Sequence, residues 1–243
     1  MNITSKSGSG CRSLKRIINT SIFRGISTLH LTIDLLLKEA KKFVAVESSH
    51  HEPTLFGVTD GKRIGTYLEH KFQDVLSGRY HYVRGNSAQG IDFPELGIDI
   101  KVTSIEQPQS SCPYKSARQK IYGLGYSLLV FVYHKIDDKR SETGCLDILH
   151  AIFVEAHKTA DFQMTTGLLA IVNNQGNQED IIAFFEDKRL PVDEIEAGKL
   201  AEEVLNFPPA IGYLTISNAL QWRLQYRRII EHAGQVDGII KVK

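Results

Sequence analysis

The hydrophobic pattern changes period along the chain. Over residues 27–48, STLHLTIDLLLKEAKKFVAVES, leucines recur on one face at helical spacing, which predicts an amphipathic helix with Ser27 as its N-cap. Pro53 and Asp60-Gly61 then mark a loop. In KRIGTYLEHKFQDVL the apolar residues Ile64, Leu68, Phe72 and Val75 again recur at helical spacing, and Glu69 sits at the edge of that stripe. Strand-like patterns follow in YHYV, in the hairpin-like stretch Gly90 to Ser104, in YSLLVFVYHKI, in CLDILHAIFVEA and in LLAIV. The apolar continuity of YSLLVFVYHKI and CLDILHAIFVEA predicts burial on both faces, as in a sheet covered by helices. Helices are predicted again over residues 180–188, 193–206 and 217–232, with a strand at IGYLTI before the last. The fold class is therefore α/β, a mixed central β-sheet flanked by α-helices, without the regular alternation of a Rossmann fold.

The chain has 243 residues, 42% hydrophobic and 23% charged, which suits one globular domain. Residues 1–26 are basic and poor in apolar side chains, so they are assigned to an N-terminal arm and residues 27–243 to a single domain. No apolar run reaches the ~18 residues of a membrane span. Met1 opens a polar, serine-rich segment without the apolar core of a secretory signal, so a cytoplasmic location is expected rather than export, with a mitochondrial presequence as the weaker alternative because residues 1–25 hold Lys6, Arg12, Lys15, Arg16 and Arg24 and no acid. Cys11, Cys112 and Cys145 lack zinc-site spacing and are expected to be inert thiols. His50-His51-Glu52 is expected to be an exposed loop rather than a metal site. A net charge of +1 neither indicates nor excludes a polyanionic partner, because positive charge is needed only along a cleft.

The candidate chemistry lies in GIDFPELGIDIKVTS, residues 90–104. Strand alternation puts Ile98, Ile100 and Val102 on one face, and Asp99, Lys101 and Thr103 on the other. If Pro94 to Gly97 forms a hairpin loop, Phe93 pairs with Ile98 and Asp92 falls opposite Asp99. Two carboxylates and an ammonium then share one surface. Such a group suits Mg²⁺, which takes a few carboxylates, waters and phosphate oxygens. Glu95 is the second choice for the first acid.

This pattern, Asp92, Asp99 and Lys101 together with Glu69 on the preceding helix, resembles the PD-(D/E)xK nuclease core of type II restriction endonucleases. The resemblance covers roughly residues 60 to 136, and Ile91 stands where the pattern has proline. It implies a restriction-endonuclease-like core, Mg²⁺-dependent hydrolysis of double-stranded DNA and 5′-phosphate ends. It implies that Asp92, Asp99 and Glu69 serve the metal, and that Lys101 promotes attack by water. It also implies a homodimer, as the two-fold symmetry of a palindromic site would require. A nucleotide cofactor is not expected, since no GxxxxGK[ST] loop is present.

For DNA contact, the polar segment after the hairpin strand offers Gln107, Gln109, Ser110, Ser111, Lys115, Arg118 and Lys120, and the amide-rich NNQGNQ offers Asn173 and Asn174. In QWRLQYRR the arginines are read as the solvated side of a helix. Two alternatives share the same motif: a mismatch-repair-type nicking endonuclease or junction resolvase, and a catalytically inactive DNA-binding protein.

Overall fold

The computed structural model describes residues 29–85, 90–113, 115–217 and 222–243. The basic arm of residues 1–26, Cys11 and Ser27 lie outside them. In chain order the elements are β1 (Leu29–His30), α1 (Ile33–Glu47), β2 (His51–Glu52), α2 (Gly61–Ser77), β3 (Tyr80–His81), β4 (Ile98–Ser104), β5 (Gln109–Cys112) and α3 (Arg118–Tyr122). Then follow β6 (Ser127–Asp138), β7 (Thr143–Val154), α4 (Phe162–Asn173), α5 (Gln178–Asp187), α6 (Glu194–Asn206), β8 (Thr215–Ser217), β9 (Trp222–Gln225), α7 (Arg227–His232) and β10 (Ile239–Lys241).

The central sheet has the order β10-β7-β6-β4, with β2 also on β7. It is mixed: β4 and β6 run parallel, and the other pairs are antiparallel. β6 explains its own apolar run, because Leu129, Phe131 and Tyr133 join the core under α1 and α2 while Leu128, Val130 and Val132 join the core on the opposite face. In β7 the inward phase shifts from Leu146 and Ile148 to Ala151 and Phe153. A register shift against Val132/Tyr133 causes this, since one extra residue turns the following side chains to the other face. Phe43 of α1, Phe72 of α2 and Phe131 of β6 pack with ring centroids 5.1–6.1 Å apart, which fixes α2 on the sheet beside β4.

A second sheet, β5-β9-β8, stands beside the first, and α4, α5 and α6 form a helical layer with its own core. Asp161 joins these two parts. It is 3% exposed. Its carboxylate accepts from Met164 N at 2.8 Å, capping α4, and from Ile216 N at 2.7 Å, holding β8. Asp161→Ala would strand two buried amides, and we expect a loss of about 2–4 kcal/mol in urea unfolding. An unchanged unfolding midpoint would refute this role.

The structure corrects several elements. α1 starts at Ile33, capped by Thr32, whose hydroxyl accepts from Leu35 N at 3.3 Å. Leu29–His30 is instead extended and pairs with β3, and that strand covers only part of YHYV. LLAIV is the second half of α4, not a strand: with its flanks, Met164 and Leu168 fall on one buried helical face. A short apolar run alone does not separate these cases. Residues 217–232 are not one helix, because β9 precedes the short α7; Trp222 and Leu224 are buried while Arg223 and Gln225 are exposed, a period of two. Only Thr215–Ser217 of the IGYLTI region is strand, with Leu214 bridging Asp161. His51–Glu52 is the short edge strand β2 rather than a loop. Cys112 and Cys145 are buried free thiols, and burial raises both above the usual thiol range. Among the described residues no helix is long and apolar enough to cross a membrane.

Candidate active site

The hairpin geometry begins at the turn. Leu96 N and Gly97 N bond back to Phe93 O and Pro94 O, and Gly97 takes φ 61°, a left-handed value that glycine adopts without strain. Phe93 then bridges Ile98 antiparallel, which carries Asp92 alongside Asp99. On β4, Ile98 and Ile100 enter the core and Val102 packs against it. Lys101 and Thr103 line a cleft of about 880 Å³, as do Glu69, Ile100 and Val102, whereas Asp99, on the same strand face as Lys101 by alternation, does not.

Asp99 is only 5% exposed. Its Oδ2 lies 2.5 Å from Lys101 Nζ, but no donor is aligned on it for a hydrogen bond. Burial raises its carboxyl to about 7; Lys101 opposes that rise and Asp92 adds to it. Asp92 is raised too, first by burial and then by the charge of Glu69. Lys101 is held above the ordinary lysine value: burial works against its charge, and Asp99 followed by Asp92 outweighs it. Asp92 is also held in place. Its Oδ2 accepts from Ile100 N at 2.7 Å and its Oδ1 from Gln73 Nε2 at 3.4 Å.

Glu69, Asp92, Asp99 and Lys101, separated by up to 32 residues in sequence, are thus brought together. Glu95 is directed elsewhere, accepting from Val83 N at 3.1 Å. Gln73 was missed by sequence reasoning. It is 7% exposed, one helical turn beyond Glu69 on α2, and that i,i+4 relation was the available signal.

Among the described residues, no three His, Cys, Asp or Glu side chains form a ready-made metal-binding group. The two aspartates offer something more open: hard oxygen donors whose carboxyl pKa values are raised by burial and by neighbouring acids, with one ammonium, Lys101, against Asp99. A divalent cation that completes its shell with water and phosphate oxygens fits such a pair.

Of the DNA-contact candidates, Gln107, Gln109, Ser110 and Ser111 line the cleft. Ser110 also bonds the Tyr226 hydroxyl. Lys115 is exposed but does not line the cleft. Arg118 is clamped by both Glu203 oxygens, at 2.6 and 3.1 Å, and stacks over Tyr122. Lys120 is 6% exposed, near Asp161. Asn173 and Asn174 lie at the exposed end of α4 and do not line the cleft. The cleft instead gains Lys62 and Arg223 as cations.

A family model described as type II restriction enzyme NspV matches residues 30–241. The chain is 64% identical over 212 residues to the type II restriction enzyme NspV of Nostoc sp. (strain ATCC 29411 / PCC 7524), an alignment spanning 87% of this chain and 96% of that protein. Comparison with solved structures gives no significant match. The matched region holds every described element from α1 to β9 and the whole Glu69, Asp92, Asp99 and Lys101 group. The chain belongs to the NspV family of type II restriction enzymes.

Proposed function

We propose that this chain hydrolyses phosphodiester bonds of double-stranded DNA at a specific sequence, with Mg²⁺, through a PD-(D/E)xK centre formed by Asp92, Asp99 and Lys101 with Glu69 beside it. The observation that carries this reading is the juxtaposition of Asp92 and Asp99 with Lys101, which lines a cleft large enough to admit a phosphate backbone, although neither aspartate lines that cleft itself. Asp92 and Asp99 would hold the cation, and Glu69 would support it through Asp92. When bound, Mg²⁺ supplies Lewis acidity at the scissile phosphate and acidity to water.

The chain's own groups do the rest. Lys101 is an ammonium at neutral pH, so it acts by stabilising negative charge on the phosphate and the attacking oxygen, not by removing a proton. Gln73 and Ile100 N hold the Asp92 carboxylate in one orientation. The core positions Ile98 and Ile100 fix β4, so the charged face has little freedom to relax. Gln107, Gln109, Ser110 and Ser111 are offered to the duplex from the cleft wall, with Lys115 outside it as a phosphate contact. Arg118 and Lys120 are given structural roles.

The products would carry 5′-phosphate and 3′-hydroxyl ends. We further propose residues 27–243 as a single domain, a homodimer as the acting unit, and the cytoplasm as its location. Incubating the purified protein with unmethylated phage DNA and Mg²⁺ should give discrete fragments with common end sequences, and EDTA should abolish them. Nicks at mismatches or junctions with linear duplex intact would instead indicate a structure-directed nuclease. Binding without cleavage under every divalent cation would reject the catalytic reading.

A further inference from the structure

Resting on the proposal that the cleft takes duplex DNA, we infer that the outer face of the β5-β9-β8 sheet reads base edges, with Arg223 and Gln225 of β9 as specificity-determining residues. Register places the relevant side chains. Gln225 lies between Gln109 and Thr215, and Arg223 between Ser111 and Ser217. The inner face of the same strands carries Cys112, Trp222, Leu224 and Ile216, each 2% exposed or less. Alternation therefore turns Gln109, Ser111, Thr215, Arg223 and Gln225 together to the outer face.

A solvated face is ordinary for an antiparallel sheet. This one differs in where it opens and in what it carries. Ser111 and Arg223 line the same cleft as Lys101 and Glu69, so a duplex engaged by the charged group extends onto this face. Among the described residues the Arg223 guanidinium and the Gln225 and Gln109 amides take no hydrogen bond or ion pair within the chain, and their donors and acceptors are available. The strand residues of this face are amides, hydroxyls and one guanidinium, and the cavity beside Gln109, Thr215 and Gln225 adds Arg227 and Arg228 as well as Glu106 and Glu231.

The chemistry of these groups matches base edges. An arginine fork bonds O6 and N7 of guanine, and a glutamine amide bonds N6 and N7 of adenine. A β-ribbon fits the major groove, where these edges are displayed. Same-face residues on a strand are about 6.8 Å apart, close to two base-pair steps of about 3.4 Å. Arg223 and Gln225 thus address separate base pairs. The surrounding packing supports them: Trp222, Leu224 and Tyr226 are buried on the other side, and Asp161 holds β8 by Ile216 N.

The test uses the full chain and a pool of duplexes with a randomised centre, selected for binding in Ca²⁺ and sequenced. The parent should enrich one motif. Arg223→Lys keeps the charge but loses the fork, and should reduce preference at a G·C position roughly 10- to 100-fold. Gln225→Ala should do the same at an A·T position. Circular dichroism melts check that both variants remain folded; both positions are exposed. An unchanged motif in both folded variants, including uniformly weaker binding that marks a phosphate contact, would overturn the inference. So would a parent that enriches no motif. A parent that enriches a motif but cuts nothing in Mg²⁺ would reject the catalytic reading while the altered motifs upheld this one.

Discussion

Asp99→Asn should lower the single-turnover cleavage rate by about 10²–10³-fold while making the metal-free protein no less stable than the parent above pH 7, since Asp92 remains as a counter-charge to Lys101. The two effects have one origin. A carboxylate 5% exposed and beside Asp92 is costly to ionise, and that same unsatisfied charge is what would draw a divalent cation. Asparagine keeps the shape and removes the charge. Stability should then differ between the two proteins in a pH-dependent way. The folded-state value of Asp99 is raised from 3.8 to about 7, so the folded chain binds this proton more tightly than the unfolded chain. Its stabilisation is complete below about pH 4 and is lost as the pH rises towards 7. The loss is bounded at about 4 kcal/mol, and it should be absent in Asp99→Asn. Urea unfolding of both proteins in EDTA from pH 4 to 8, with the difference plotted against pH, measures it. Parental cleavage by the variant, or a stability difference flat across that range, would remove Asp99 from the centre.

How far the sequence disclosed the site follows from which interactions were local. The hairpin and the Phe93 to Ile98 bridge depend on residues within a dozen positions and were legible, whereas alternation alone did not show that Asp99 and Thr103 would be buried on the polar face of β4. Phe72 and Leu68 likewise marked the buried face of α2, from whose edge Glu69 reaches the cleft. The failures were contacts that no local pattern encodes. Arg118 looked available for DNA, but its partner Glu203 is 85 residues away. Lys120 looked like a surface cation, but the chain around Asp161 and α4 covers it. LLAIV had the composition of a strand and became helix through the Asp161 cap and the flanking Met164. In β9, two arginines after the strand suggested a helix face, whereas the alternation of Trp222, Arg223, Leu224 and Gln225 held the correct answer. The signal was present there and was outweighed by composition.

Lys101→Met should reduce cleavage by about 10²–10³-fold with a much smaller change in duplex binding measured in Ca²⁺. Methionine preserves most of the apolar stem, so the packing beside β4 is kept and the charge alone is tested. Lys101 is the cation that opposes the upward displacement of Asp99, and without it the Asp99 proton is held more tightly still. The metal-free variant should therefore lose more stability than the parent as pH rises towards 8, because a buried charge has lost its partner. Combining the substitutions separates the two roles. Lys101→Met with Asp99→Asn replaces the whole pair, and the double variant should regain the stability that Lys101→Met loses, since the Asp99 charge that had lost its partner is gone as well. It should not regain cleavage. Recovery of stability without activity would identify Lys101 as the counter-charge of Asp99 in the resting protein and as a charge-stabilising group during hydrolysis. Simple additivity of the two stability changes would mean that the 2.5 Å contact between these side chains is not a coupled pair.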